Sequence, residues 1–127
     1  MTTVNSVLAQ ETVQKFRAYH YFNETTAEVV QNNGEHNWKD CNVLIVLGND
    51  KIKIYTNNYA ELDIVKVTNR TEDNDVITYD EKAVDKLGND VDVDIAIFKH
   101  GMNEGYQAAN LIIYYPTFIV QYQLWYD

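Results

Sequence analysis

A chain of 127 residues with 46% apolar and 13% aromatic side chains, one proline and five glycines has the length and make-up of one folded domain, which excludes a disordered or low-complexity chain. Nineteen acidic against ten basic side chains leave a net charge of −9; a surface of that sign repels phosphate backbones, so direct nucleic-acid binding is not expected. The longest aliphatic run, Val43 to Leu47, falls far short of the roughly 20 residues of a membrane-spanning helix.

In chain order, the stretch "NSVLAQETVQKFRAYHYF" sets Ala9, Val13, Phe16 and His20 at spacings of three and four beside Leu8 and Tyr19. That period predicts an amphipathic helix, with Asn5 or Ser6 as its cap. Thr25 followed three residues later by Glu28 is a capping-box pattern, so a second, short helix is expected before the turn-forming "QNNGEHN".

From Asn42 onward the period becomes two. "NVLIVLG" and "KIKIYT" flank Gly48-Asn49-Asp50 and predict a hairpin, Ile52 and Ile54 facing the core and Lys51 and Lys53 facing water. "AELDIVKV" and "DVITYD" follow as strands, and "LGNDVDVDIAIF" is a further one entered through Gly88 and Asn89. "ANLIIYY" and "TFIVQYQLWY", joined at Pro116, make the last pair, with Phe118, Val120, Tyr122 and Leu124 on one face of the final strand.

The expected fold is mainly β (α+β), an antiparallel meander of about six to seven strands curled into a small barrel or a sandwich, with the N-terminal helix packed on it. One domain is expected over 1–127, helical and loop-like over 1–41 and sheet over 42–127. The start of the chain has neither the basic nor the apolar stretch of a secretory signal, and Cys41 is the only cysteine, so the expected setting is the cytoplasm, without a membrane partner.

Charge is concentrated in one segment. Glu72, Asp73, Asp75, Asp80, Glu81, Asp85, Asp90, Asp92 and Asp94 stand against Lys82 and Lys86 alone. Same-parity residues of a strand lie about 6.8 Å apart, so Asp90, Asp92 and Asp94 form an outward row. A calcium loop counted from Asp90 would need glycine at its sixth place and glutamate at its twelfth, where Ile95 and Gly101 stand. The plain reading is a solvated face whose charges also discourage edge pairing.

Motifs for catalysis are missing. His20, His36 and His100 have no zinc spacing, Ser6 is the only serine, and no glycine-rich loop precedes a helix, so no catalytic residue, cofactor or metal is assigned. Cys41 reads as a small buried residue at the start of a strand, although a cysteine and histidine pair needs only to meet in space. A closed barrel with a cavity would bind a small ligand if polar or small side chains faced inward, but the inward sets read here are bulky and apolar and predict a filled interior.

The expectation for function is therefore a non-enzymatic acidic interaction module. Its nine carboxylates would take a basic protein partner, in the manner of phage-type inhibitors that mimic DNA, which the chain resembles in size, acidity and compactness. The alternative is a structural subunit, such as one of a phage particle, or a homo-oligomer, assembled through the aromatic last strand with Ile119 and Trp125 at the contact. A small-ligand-binding barrel is the third reading.

Overall fold

The computed structural model describes residues 13–102 and 105–127. Eight antiparallel strands close into a barrel in chain order: β1 (Gln14–Thr25), β2 (Lys39–Leu47), β3 (Lys51–Tyr55), β4 (Ala60–Glu72), β5 (Val76–Val84), β6 (Asp90–Phe98), β7 (Ala109–Tyr114) and β8 (Phe118–Tyr126). Among the described residues, one α-helix, α1 (Thr26–Asn32), lies between β1 and β2, and a 3-10 turn spans Lys99–Met102. The mainly antiparallel β architecture is as the periodicity implies; of the two expected forms the sheet takes the barrel, with eight strands in place of six to seven, and the predicted hairpin has Ile45 opposite Ile54 and Leu47 opposite Ile52.

The first strand corrects the sequence reading. Residues 14–25 form no helix; they are strand β1, which brings the count to eight among the described residues and pairs with β2 on one side and β8 on the other. The helical spacing has a physical origin in a β-bulge between Ala18 and His20, where an extra residue switches the inward parity. Phe16 and Ala18 face the core before the bulge, and Tyr21, opposite Tyr122, faces it afterwards. The switch leaves Phe22 and Glu24 on the outer side of the barrel, and they too are buried. A strand buried on both faces and bulged in the middle loses the period of two. The expected caps Asn5 and Ser6, with Leu8 and Ala9, lie outside the described residues.

Closure of β1 on β8 also changes the reading of the aspartate row. β6 pairs with β5 along one side and, from Asp92 on, with β7 along the other, so Asp92 and Asp94 guard no edge. The longest stretch of strand that lacks a second neighbour among the described residues is the far half of β4. Its pairing with β3 ends at Asp63 opposite Lys51, whereas its pairing with β5 continues to Glu72 opposite Ile77. Two bulges, at Ile64/Lys66 and Val67/Asn69, and the charges of Lys66 and Arg70 accompany this overhang, the devices that keep an exposed edge from recruiting another strand.

The core fills the middle of the barrel with Phe16, Ile45, Ile52, Leu62, Val93, Leu111, Ile113 and Leu124, each almost completely buried. Burial of aliphatic and aromatic side chains of this size contributes about 1.5–3 kcal/mol apiece. Outside the barrel, the α1 excursion covers a second, smaller cluster: the His36 ring stacks on Phe22 with centroids 4.1 Å apart, and Trp38 meets Phe22 edge-on at 4.9 Å. The predicted capping box starts α1, Glu28 N–H donating to Thr25 Oγ1 at 3.2 Å and Thr25 N–H to Glu28 Oε1 at 3.0 Å. Asn33 and Gly34 end the helix at φ 48° and 88°, the left-handed conformation in which asparagine and glycine are least strained. No helix among the described residues is long and apolar enough to cross a membrane.

Candidate functional site

The nine acidic residues of the 72–94 segment do not form one surface. Asp73 and Asp85 are turn formers: Asp73 accepts the N–H groups of Asp75 and Val76 at 2.7 and 2.9 Å, and Asp85 those of Leu87 and Asn89 at 2.9 Å each. These backbone donors hold both carboxyls below their ordinary range. Glu72 is clamped between Arg70 and Lys99, each at 2.8 Å, and Asp92 is paired with Lys82 at 2.5 Å. Asp75 and Asp90 are exposed.

Asp80 and Asp94 stand directly opposite each other on the outer face of β5 and β6. Partial burial, followed by the Asp80 carboxyl beside it, pushes the Asp94 carboxyl up, while Tyr114 opposes the shift. The Tyr114 hydroxyl is in turn pushed up to about 12 by its own burial and then by the Asp94 charge. Like charges opposite one another destabilise a sheet, so this pair is the part of the outer row that folding alone does not favour.

Glu81 departs from the set altogether. Ile77, Tyr79, Glu81 and Ala83 share one face of β5, and that face looks into the barrel. Glu81 is 8% exposed, and its Oε1 is shielded from solvent with no hydrogen-bond partner among the described residues. Burial pushes its carboxyl above the ordinary value.

Glu81 lines a cavity of about 240 Å³ at the barrel mouth nearest Gln14. One side is built by Gln14, Leu47 and the Gly48-Asn49 turn, the other by Val67, Ile77, Tyr79, Ile95 and Ile97. The cavity exists because β3 stops at Lys51 while the β4–β5 hairpin runs on, so a gap opens where the next strand would have filled the wall. The expectation of a filled interior thus holds for the middle of the barrel and fails at this mouth. Glu81 was hidden in the sequence by its acidic neighbours. The available signal was parity: in "VITYDEKAV" it occupies a position of the apolar alternation.

The remaining candidates take other places. Ile119 and Trp125 are both half-buried within the chain, Trp125 edge-on to Tyr19 at 5.7 Å and to His20 at 5.9 Å. Cys41 Sγ donates to the Ala18 carbonyl at 3.4 Å, and burial, then the Asp40 charge, push its thiol up. His36 Nδ1 is 2.7 Å from Glu24 Oε1, which leaves Cys41 and His36 engaged elsewhere and not with each other. Among the described residues, no group of three or more histidine, cysteine, aspartate or glutamate side chains could hold a metal ion. The chain matches no protein-family model, no curated protein and no solved structure.

Proposed function

We propose that the chain is a non-enzymatic binding protein that takes a small molecule into the open mouth of its barrel. The supporting observation is Glu81, a buried carboxyl whose Oε1 has no partner among the described residues, on the wall of an otherwise largely apolar cavity. Burying a polar group without a hydrogen bond costs about 1–3 kcal/mol, and an apolar side chain at this inward position would avoid that cost. A side chain retained against stability finds its use when a ligand supplies the missing partner. The cavity, about 240 Å³, is just below the ~300 Å³ at the lower end of typical small-molecule sites, so the ligand is small.

The test is ligand-observed NMR with a mixture of small apolar fragments against the wild type and Val67→Trp. Val67 is half-exposed at the cavity wall, so a larger side chain there can fill the opening without invading the core. Fragment signals that respond to the wild type and vanish with Val67→Trp support the reading. Absence of any response, or one indifferent to the substitution, overturns it.

A second reading is favoured by the Asp80 and Asp94 pair. An outer face that sets two carboxylates opposite each other gains from a basic partner, which would relieve their repulsion. Retention on immobilised polylysine at low salt, weakened by moderate salt and lost in the Asp80→Asn, Asp94→Asn double variant, would support an acidic docking face. Retention unchanged in the double variant would remove the pair from that role.

A further inference from the structure

We infer that the barrel-mouth cavity is selective for a small organic cation, an ammonium group carried on a compact apolar body, with Glu81 as the group that receives the charge. This rests on the small-molecule reading above and adds the chemistry of the ligand.

The lining sorts into two parts. Val67, Ile77, Ile95 and Ile97 offer hydrocarbon and Tyr79 a ring, whereas Gln14, Asn49 and Glu81 are the polar members. No lysine, arginine or histidine is among the described residues that form the cavity. Arg70 reaches over the Tyr79 ring, 5.6 Å from its centroid, but its guanidinium is held by Glu72 at 2.8 Å. The Glu81 carboxyl therefore has no cation of the protein's own to neutralise it among the residues lining the cavity.

Three ligand types could in principle occupy such a space, and the electrostatics separate them. An anion would meet a buried carboxyl inside a chain of net charge −9, which is repulsive both locally and at long range. A neutral alcohol could donate one hydrogen bond to the carboxylate but brings no positive charge to offset its burial. An ammonium group supplies both charge and donors, and the negative field of the whole protein raises its concentration near the mouth. The hydrocarbon wall then sets the rest of the molecule: an apolar body small enough for about 240 Å³.

Three probes of nearly identical size and different head group distinguish these cases: phenethylamine, 2-phenylethanol and phenylacetate. Isothermal titration calorimetry with the wild type should show the amine binding at least about tenfold more tightly than the alcohol and no measurable binding of the acid. In Glu81→Gln, which preserves shape and removes the charge, the amine should fall to the level of the alcohol, with circular dichroism confirming that the variant folds. Glu81→Asp, which keeps the charge on a shorter arm, should retain part of the preference.

An alcohol that binds the wild type as tightly as the amine, or an amine that binds Glu81→Gln as tightly as the wild type, overturns the cation assignment and leaves the cavity reading standing. Failure of all three probes to bind the wild type, or amine binding that persists in Val67→Trp, overturns both.

Discussion

Two buried glutamates on opposite sides of one barrel, Glu24 on β1 and Glu81 on β5, meet opposite fates. Glu24, 2% exposed, lies outside the barrel beneath the α1 excursion and is saturated: Asn32 Nδ2 donates to Oε2 at 3.0 Å, Asn37 N–H to the same oxygen at 3.0 Å, and His36 Nδ1 lies 2.7 Å from Oε1. Glu81, 8% exposed, lies inside the barrel mouth with Oε1 unpartnered among the described residues. Burial alone would push the Glu24 carboxyl up, yet the Asn37 N–H, His36 and Asn32 together hold it below its ordinary value, whereas burial acts unopposed on Glu81. The difference teaches that burial of a charge does not by itself mark a functional group. What distinguishes Glu81 is that no described residue around it satisfies its Oε1.

The contrast breaks most easily at Glu24. Replacing it with leucine leaves two side chains and one backbone N–H without their acceptor, and urea denaturation should show a loss on the order of 3 kcal/mol. Glu24→Leu with wild-type stability would mean that the network contributes nothing and that the two glutamates are alike. Thr25→Ala, which removes the capping box over the same cluster, should cost about 1 kcal/mol and increase amide exchange in α1.

Glu81→Leu should behave in the opposite sense, holding or raising stability by up to about 1 kcal/mol while abolishing binding in the mouth. A strongly destabilised Glu81→Leu would indicate a structural role for the carboxyl and would erase the distinction.

The two groups also carry opposite pH dependences from a common starting value of 4.5. Glu24, lowered on folding, contributes stability that is present above 4.5 and is lost as pH falls through its folded value. Glu81 is raised on folding, so between 4.5 and its folded value the unfolded chain has released a proton that the folded chain still holds. Stability therefore falls as pH rises through that interval and stays lower above it. The Glu81→Gln variant should gain on the wild type across the same interval, and Glu24→Gln should lose its deficit below 4.5. Parallel pH profiles for the two variants would contradict the assignment. The smallest effect is expected for Asp90→Asn, Asp92→Asn, Asp94→Asn together. Asp90 is solvated and Asp92 is paired with Lys82 at the surface, where single ion pairs contribute little, and relief of the repulsion between Asp94 and Asp80 offsets the lost pair, so the melting temperature should barely change.

Much of the sheet was legible residue by residue. The alternation in "KIKIY" and "DVDVDIAIF" specified which side chains turn inward, because a strand puts successive residues on opposite faces whatever its neighbours are. The Thr25 and Glu28 cap was equally local, needing only the first turn of the helix it starts.

The sequence by itself determined the β character from Asn42 onward, the short capped helix and the outward row of Asp90, Asp92 and Asp94. All of these depend on periods and contacts within a few residues. Tertiary structure alone decided that residues 14–25 are a strand, since the bulge at Ala18/His20 and the second buried face beneath α1 disguise its period. It decided closure, which requires β1 to pair with a strand roughly a hundred positions away in the chain. It also separated Glu81 from the acids around it. The length mismatch between β3 and the β4–β5 hairpin opens the cavity that Glu81 lines, and a gap between strands is a property of their assembly that no single strand encodes.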